Sequence, residues 1–276
     1  MKSFVRRFPR MAIGSAIILA VIAMAATAPI FFPFSPWDMR GSPFEPPGSP
    51  DFLLGSDALG RDIAAGIAHG AWVSLMIGGI STMASLGIGV SLGALAGYVG
   101  GRVDDAVMRF AEFFQTIPSF LLAILLVAIF RPSIFSIIAA IALVSWPPVA
   151  RVVRAEFLSL RKREFVQAAE VLGVSHMRVV WQTLLPNALP PVIVLGSLMV
   201  ANAVLTESAL SFLGLGDANW MSWGFLVGSG RSVIRIGWWI SVLPGVAIFI
   251  TVLGLNLLGE GLQTWLNPRL SKRDMP

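Results

Sequence analysis

The chain of 276 residues lacks cysteine entirely and holds only two histidines, His69 and His176, and three lysines, Lys2, Lys162 and Lys272. Without cysteine there is neither a disulfide framework nor a thiolate metal site. The two histidines stand far apart in sequence, so HExxH zinc sites and Ser-His-Asp hydrolase patterns have little to build on. No lysine follows a glycine. A phosphate-cradling P-loop requires Gly-Lys-Ser/Thr, so the chain has no such route to ATP hydrolysis. Charge is the other scarcity: 13% of residues are Asp, Glu, Lys or Arg while 56% are hydrophobic, against about 25% charged in a soluble domain. Carboxylates inside apolar runs are confined to Glu207, and Glu260 lies at the end of one such run. A proton-driven pump uses a relay of buried ionisable groups, and two isolated carboxylates make a poor relay. Energy for uphill movement would have to arrive from outside the chain.

What is present is membrane-length hydrophobicity. A crossing helix needs about 20 apolar residues, and six runs are predicted: Met11–Ile30, Ala71–Gly97, Phe113–Phe130, Ser133–Val149, Leu189–Leu213 and Gly237–Gly259. The first could pass for a secretory signal, with Ala26-Thr27-Ala28 as cleavage site, but Pro29 would follow the scissile bond. A retained span is expected. With the N-terminus inside, fifteen Lys and Arg fall on inner segments and five (Arg40, Arg61, Arg131, Arg231 and Arg235) on outer ones. That asymmetry follows the positive-inside rule and puts both termini in the cytoplasm. It also accounts for the high pI without nucleic acid, which is dropped as a partner.

Between the first two runs, Pro33, Pro36, Pro43, Pro46, Pro47 and Pro50 exclude a long helix and predict extended, rigid chain. Asp57 is placed to cap a short surface helix before the second run. Gly89, Gly93 and Gly97 recur every four residues; close helix packing is preferred there to a hinge. Trp220, Trp223, Trp238 and Trp239 read as an interfacial belt, and Asp104 and Asp105 with Arg102 and Arg109 as a solvated inner turn. Glu207 lines a translocation path, accepts hydrogen bonds from a neighbouring helix, or holds a pair of subunits together.

The most patterned polar stretch lies between the fourth and fifth runs. "REFVQAAEVLG" reads as a short helix ending at Gly173 in the left-handed C-terminal position. Ser175 is then expected to cap a second short helix, "HMRVVWQTLL", closed by Pro186. Ala168, Ala169 and Leu172 share one face of the first helix; Val180, Trp181 and Leu184 share one of the second. Taken alone, such a bent knob could equally be a hairpin folded on the protein's own surface.

The stretch resembles the EAA loop of binding-protein-dependent ABC importer permeases: Glu-Ala-Ala, three residues, Gly, nine residues, an apolar position, one residue, Leu-Pro. Ala168, Ala169, Gly173, Leu185 and Pro186 match; Gln167 stands where Glu is usual and Thr183 where an apolar residue is usual. Gln167 removes a charge for which Glu164 and Glu170 are nearby substitutes. "LLGSDALGRD", "LAGYVGGRVDDAVMR", "ESALSFLGLG", "SWG", "LPGVAIFITVLGLNLLGEGL" and "LNPRL" extend the resemblance over nearly the whole chain, to the C-type permease subunit of dipeptide, oligopeptide and nickel importers. The resemblance implies an all-α integral membrane protein of type I ABC importer permease fold in the bacterial inner membrane. It implies three segments: 1–69 as helix plus proline-rich extension, 70–260 as permease core, 261–276 as cytoplasmic tail. It implies a second, B-type permease, two ATPase subunits that bind ATP and Mg, an extracytoplasmic substrate-binding protein, and peptide cargo within the lipid bilayer. This chain itself would bind no cofactor and perform no catalysis. The same machinery with nickel chelate, glutathione or opine cargo is the alternative, and a proton-coupled carrier a more distant one. In such importers the EAA loop sits in a groove of the ATPase and transmits its closure.

Overall fold

The computed structural model describes residues 8–266, apart from the side chain of Glu170. Most of the predicted 261–276 tail, with Arg269, Lys272, Arg273 and all of "LNPRL" after its first leucine, lies outside the described residues, as do Lys2, Arg6 and Arg7. Nine helices are described: α1 Pro9–Phe31, α2 Ile63–Val99, α3 Gly101–Thr116, α4 Ser119–Phe130, α5 Ile134–Leu160, α6 Glu164–Val171, α7 His176–Leu215, α8 Trp223–Gly230 and α9 Trp239–Leu266. Five are long and apolar enough to span a membrane, and α3 with α4 forms a sixth, broken span.

That break corrects the expected third run. α3 and α4 meet at 85° because Ile117, which precedes Pro118, takes the extended conformation (φ −95°, ψ 130°), as the proline ring demands of its neighbour. Twelve residues remain in α4, which rise only about 18 Å. α3 is amphipathic, so neither half of this broken span crosses a membrane by itself, and Asp104, expected to be solvated, is buried against Arg154 of α5, which grips both carboxylate oxygens.

α2 and α5 form the central pair. At Gly89, Gly93 and Gly97 the backbone of α5 comes so close that no side chain fits. A Cβ on Gly93 would lie 2.5 Å from the Ala150 carbonyl oxygen, and one on Gly97 would lie 2.6 Å from the Phe157 Cβ. The glycine stripe is therefore a packing seam. α1 lies against α9 by the same device: a Cβ on Gly14 would meet the Gly254 carbonyl at 2.6 Å. Arg10 pairs with Glu260 at 3.1 Å beside it.

The proline-rich segment folds back instead of extending. Turns and two isolated bridges, Met39 with Arg61 and Ser56 with Asp62, close it into a cap pinned by Trp239, whose indole N–H donates to the Ser56 carbonyl at 3.0 Å. No separate surface helix precedes α2. Asp62, not Asp57, caps α2, accepting from Ala64 and Ala65; Asp57 instead pairs with Arg61 at 2.6 Å. Nor are the tryptophans one belt, since Trp223 and Trp239 are buried while Trp220 and Trp238 are half-exposed.

Candidate functional site

α6 and the start of α7 form the elbow foreseen at residues 164–186. Val174 N–H reaches back to the Ala169 carbonyl at 3.1 Å, the six-to-one bond of a Schellman ending. Gly173 has φ +73°, the left-handed conformation that this ending needs and that a Cβ disfavours. Ser175 occupies the N-cap position of α7, but its side chain accepts no capping bond.

The second arm differs from expectation. Pro186 does not close it; α7 continues from His176 through Pro186 to a π-helical stretch, Ser211–Leu215, which is kinked at Gly214 (φ 84°, ψ 13°). A proline inside a helix removes a donor and crowds the carbonyl of the preceding turn. Here the ladder widens before the prolines into a π-helical stretch, Val179–Leu184, and Leu185 N–H bonds to the Val180 carbonyl five residues back. The Asn187 side-chain amide donates to the Thr183 carbonyl at 2.6 Å. The freed geometry is absorbed rather than broken.

The elbow has two faces. Val166, Val179 and Leu184 are fully buried against Val153 and Phe157 of α5 and Val192 of α7. On the other side Phe165, Leu172, Met177 and Trp181 are 48%, 81%, 68% and 60% exposed, more apolar surface than water-facing helices ordinarily leave bare. Of the residues singled out from sequence, Glu164, Gln167, Ala168 and Pro186 are exposed, and Ala169 and Leu185 half-buried; Glu170 lies in α6 with its side chain outside the described residues.

Three residues not singled out fasten the elbow. The Tyr98 hydroxyl lies 2.6 Å from His176 Nδ1. Arg161 donates to the Tyr98 carbonyl at 2.6 Å, and its guanidinium lies 5.4 Å from the Tyr98 ring centre. Tyr98 is the sole tyrosine of the chain, which is the one sequence signal that could have drawn attention to it.

Glu207 is wholly buried. Three serine hydroxyls donate to its carboxylate: Ser211 at 2.8 Å, Ser74 of α2 at 3.3 Å and Ser208 at 3.4 Å. Ser74 Oγ also accepts the Trp223 backbone N–H at 3.2 Å. The carboxylate thus ties α2, α7 and α8 together, in the arrangement a buried charge requires.

Comparison with known proteins agrees with this architecture. Residues 89–272 match the family model described as "Binding-protein-dependent transport system inner membrane component". The chain is 38% identical to the di/tripeptide transport system permease protein DppC of Pseudomonas aeruginosa, over 93% of this chain and 87% of that one. It is 40% identical to the oligopeptide transport system permease protein OppC of Haemophilus influenzae, over 96% and 87%. Among solved structures, inward-facing conformations of the MetNI methionine ABC transporter superpose with TM-score 0.61 at 19% identity, covering 73% of this chain and 96% of that one. The last supports the fold alone. An elbow at one end of a bundle with the type I ABC importer permease fold, together with these alignments, means that the chain belongs to the binding-protein-dependent transport system inner membrane components.

Proposed function

We propose that this chain forms half of the translocation pathway of an ATP-driven importer of di- and oligopeptides. Its elbow is gripped by a separate ATPase. The second half-pathway comes from a B-type permease, and a substrate-binding protein delivers cargo at the opposite face. ATP and Mg belong to the two ATPase subunits, and this chain supplies no catalytic group. The elbow faces the cytoplasm, as do both termini, in keeping with the fifteen-to-five distribution of Lys and Arg. The names of the curated relatives support peptide as cargo.

The observation that carries the reading is the two-faced elbow: one side locked into the bundle by Val166, Val179 and Leu184, the other bare and apolar around Leu172 and Trp181. Such a surface is stable when a second protein covers it. Glu164, Gln167, Ala168, Ala169, Glu170, Gly173, Leu185 and Pro186 are the coupling residues in this reading. Ala168 gives close approach, and Gly173 fixes the bend. Gln167 offers an amide where relatives of the EAA pattern carry a carboxylate, so the contact there is a hydrogen bond rather than an ion pair. A rigid elbow transmits displacement that a flexible loop would absorb.

Gly173→Val forces a β-branched residue to φ +73°. The complex should still assemble while ATP hydrolysis no longer drives uptake. Measured in vesicles of the assembled complex, normal binding-protein-stimulated uptake by Gly173→Val would refute the coupling role. Gentle solubilisation should bring down two ATPases and a sister permease; recovery of the chain alone would count against the assembly.

A further inference from the structure

A cavity of about 590 Å³ opens at the break between α3 and α4 and extends to α5 and α7. Gln115, Ser119, Ser145, Asn202 and Thr206 bring polar atoms to it, and none of the residues lining it is charged. Its depth follows from the helices. Ser119 lies eleven residues before the end of α4, and Ser145 eleven after the start of α5, each about 16 Å from the end that carries the proline-rich cap. Asn202 lies twelve residues before the kink at Gly214, about 18 Å along α7. All three sit near the middle of a hydrocarbon core about 30 Å thick.

Thr206 returns its hydroxyl to the Asn202 carbonyl at 2.8 Å. Among the described residues, the side chains of Gln115, Ser119, Ser145 and Asn202 have no hydrogen-bond partner. Amides and hydroxyls left bare to lipid would each cost several kcal/mol. Within residues 119–130, 134–149 and 189–213 the exposed side chains are otherwise apolar, as Leu121, Leu125, Leu143 and Leu205 illustrate. Four unpartnered polar groups converging on one hollow at mid-depth therefore face something polar. Glu207, one residue from Thr206, is turned away into its serine cage and brings no charge to this wall.

We propose that this cavity is the chain's cargo-contact surface, and that it engages a peptide through its backbone amide groups rather than through its side chains. Carboxamides and hydroxyls both donate and accept, which complements the N–H and C=O repeated in every peptide. A wall without charge neither attracts nor repels an acidic or basic side chain, so peptides of different sequence pass on equal terms. The proposal rests on the peptide-importer reading and specifies which groups of this chain meet the cargo.

The absence of cysteine makes a direct test possible. Ser145→Cys and Asn202→Cys each introduce the sole thiol of this chain, with Leu125→Cys on the apolar face of α4 as control. In right-side-out vesicles carrying the assembled importer, a water-soluble maleimide enclosed on the cytoplasmic side should label Ser145→Cys and Asn202→Cys at least fivefold faster than the control. ATP with binding protein loaded with trialanine should slow that labelling. Silent thiols in vesicles that do import peptide would mean that the second permease or lipid fills the cavity, and would overturn the proposal while leaving the importer reading intact. Wild-type vesicles should import Ala-Lys-Ala and Ala-Glu-Ala at saturating rates within about twofold of each other. Asn202→Asp should favour the lysine peptide about tenfold, the scale on which one sign of charge concentrates its counter-ion in a cleft. An unchanged ratio in Asn202→Asp, or strong discrimination already in the wild type, would overturn backbone recognition. No peptide uptake by the wild type would remove the importer reading and the proposed occupant together, whatever the thiols report.

Discussion

At the scale of single residues, buried polar side chains define the joints of the molecule. Glu207 accepts from Ser74, Ser208 and Ser211, so its loss leaves three donors unpaired. Glu207→Leu should lower the stability of the complex by on the order of 2–4 kcal/mol, and Glu207→Gln by less. Thermal unfolding in detergent measures the difference. If Glu207 acts through packing, cargo preference stays fixed in Glu207→Gln; altered selectivity would instead place it on the pathway. At the elbow, Tyr98→Phe removes the hydroxyl facing His176, a bond worth about 1 kcal/mol. Folding should survive, while the ratio of peptide imported to ATP hydrolysed should fall. Such joints were only partly legible in the sequence. Glu207 stands out as a carboxylate within an apolar run, and Ser211 follows it at helical i,i+4 spacing, but Ser74 lies 133 residues away, where no spacing rule connects them. Asp104 was misread as solvated for the same reason: its partner Arg154 lies fifty residues away.

Helices were more legible than joints, because length and hydropathy act locally. Five of the six apolar runs reappear as single helices with shifted ends, and the third as the pair α3 and α4 broken at Pro118. Prolines were the source of error. Pro118 breaks a span, whereas Pro147, Pro148, Pro190, Pro191 and Pro244 lie inside unbroken helices. The ring does the same local damage in each case. The outcome depends on whether neighbouring groups repair the ladder, as Asn187 and the π-helical turn do before Pro190, and that repair is invisible in a hydropathy pattern. The seam between α2 and α5 was legible, since small residues every four positions have a direct steric meaning. Gly93→Leu would drive a side chain into the Ala150 backbone, and overpacking of this kind costs about 1–3 kcal/mol or more. Full-length protein should accumulate poorly, with Gly93→Ala intermediate on a thermal melt.

On the scale of the whole molecule, α1 precedes the segment matched to the family, which begins at residue 89, yet one of its faces is packed tightly against α9. Gly14, Gly254 and Gly261 let α1 and α9 touch backbone to backbone, and Arg10 and Glu260 close one end. Replacing these two with cysteines should allow a short bismaleimide to join them within one chain, visible as a mobility shift on a denaturing gel; absence of the shift would mean that α1 packs elsewhere. The cap over residues 32–62 joins the same body through Trp239 and Ser56.

α7 has its first turn in the elbow and passes Glu207 before it ends. Its forty residues would measure about 60 Å as a straight helix, with the two π-helical stretches as its softer points. Lesions near one tip therefore ought to be curable near the other. Starting from a crippled Gly173→Val strain, selection for growth on peptides should return second-site suppressors around Ser208, Ser211 and the α8 contacts. Suppressors confined to the ATPase would mean that the rod bends before it can carry the message.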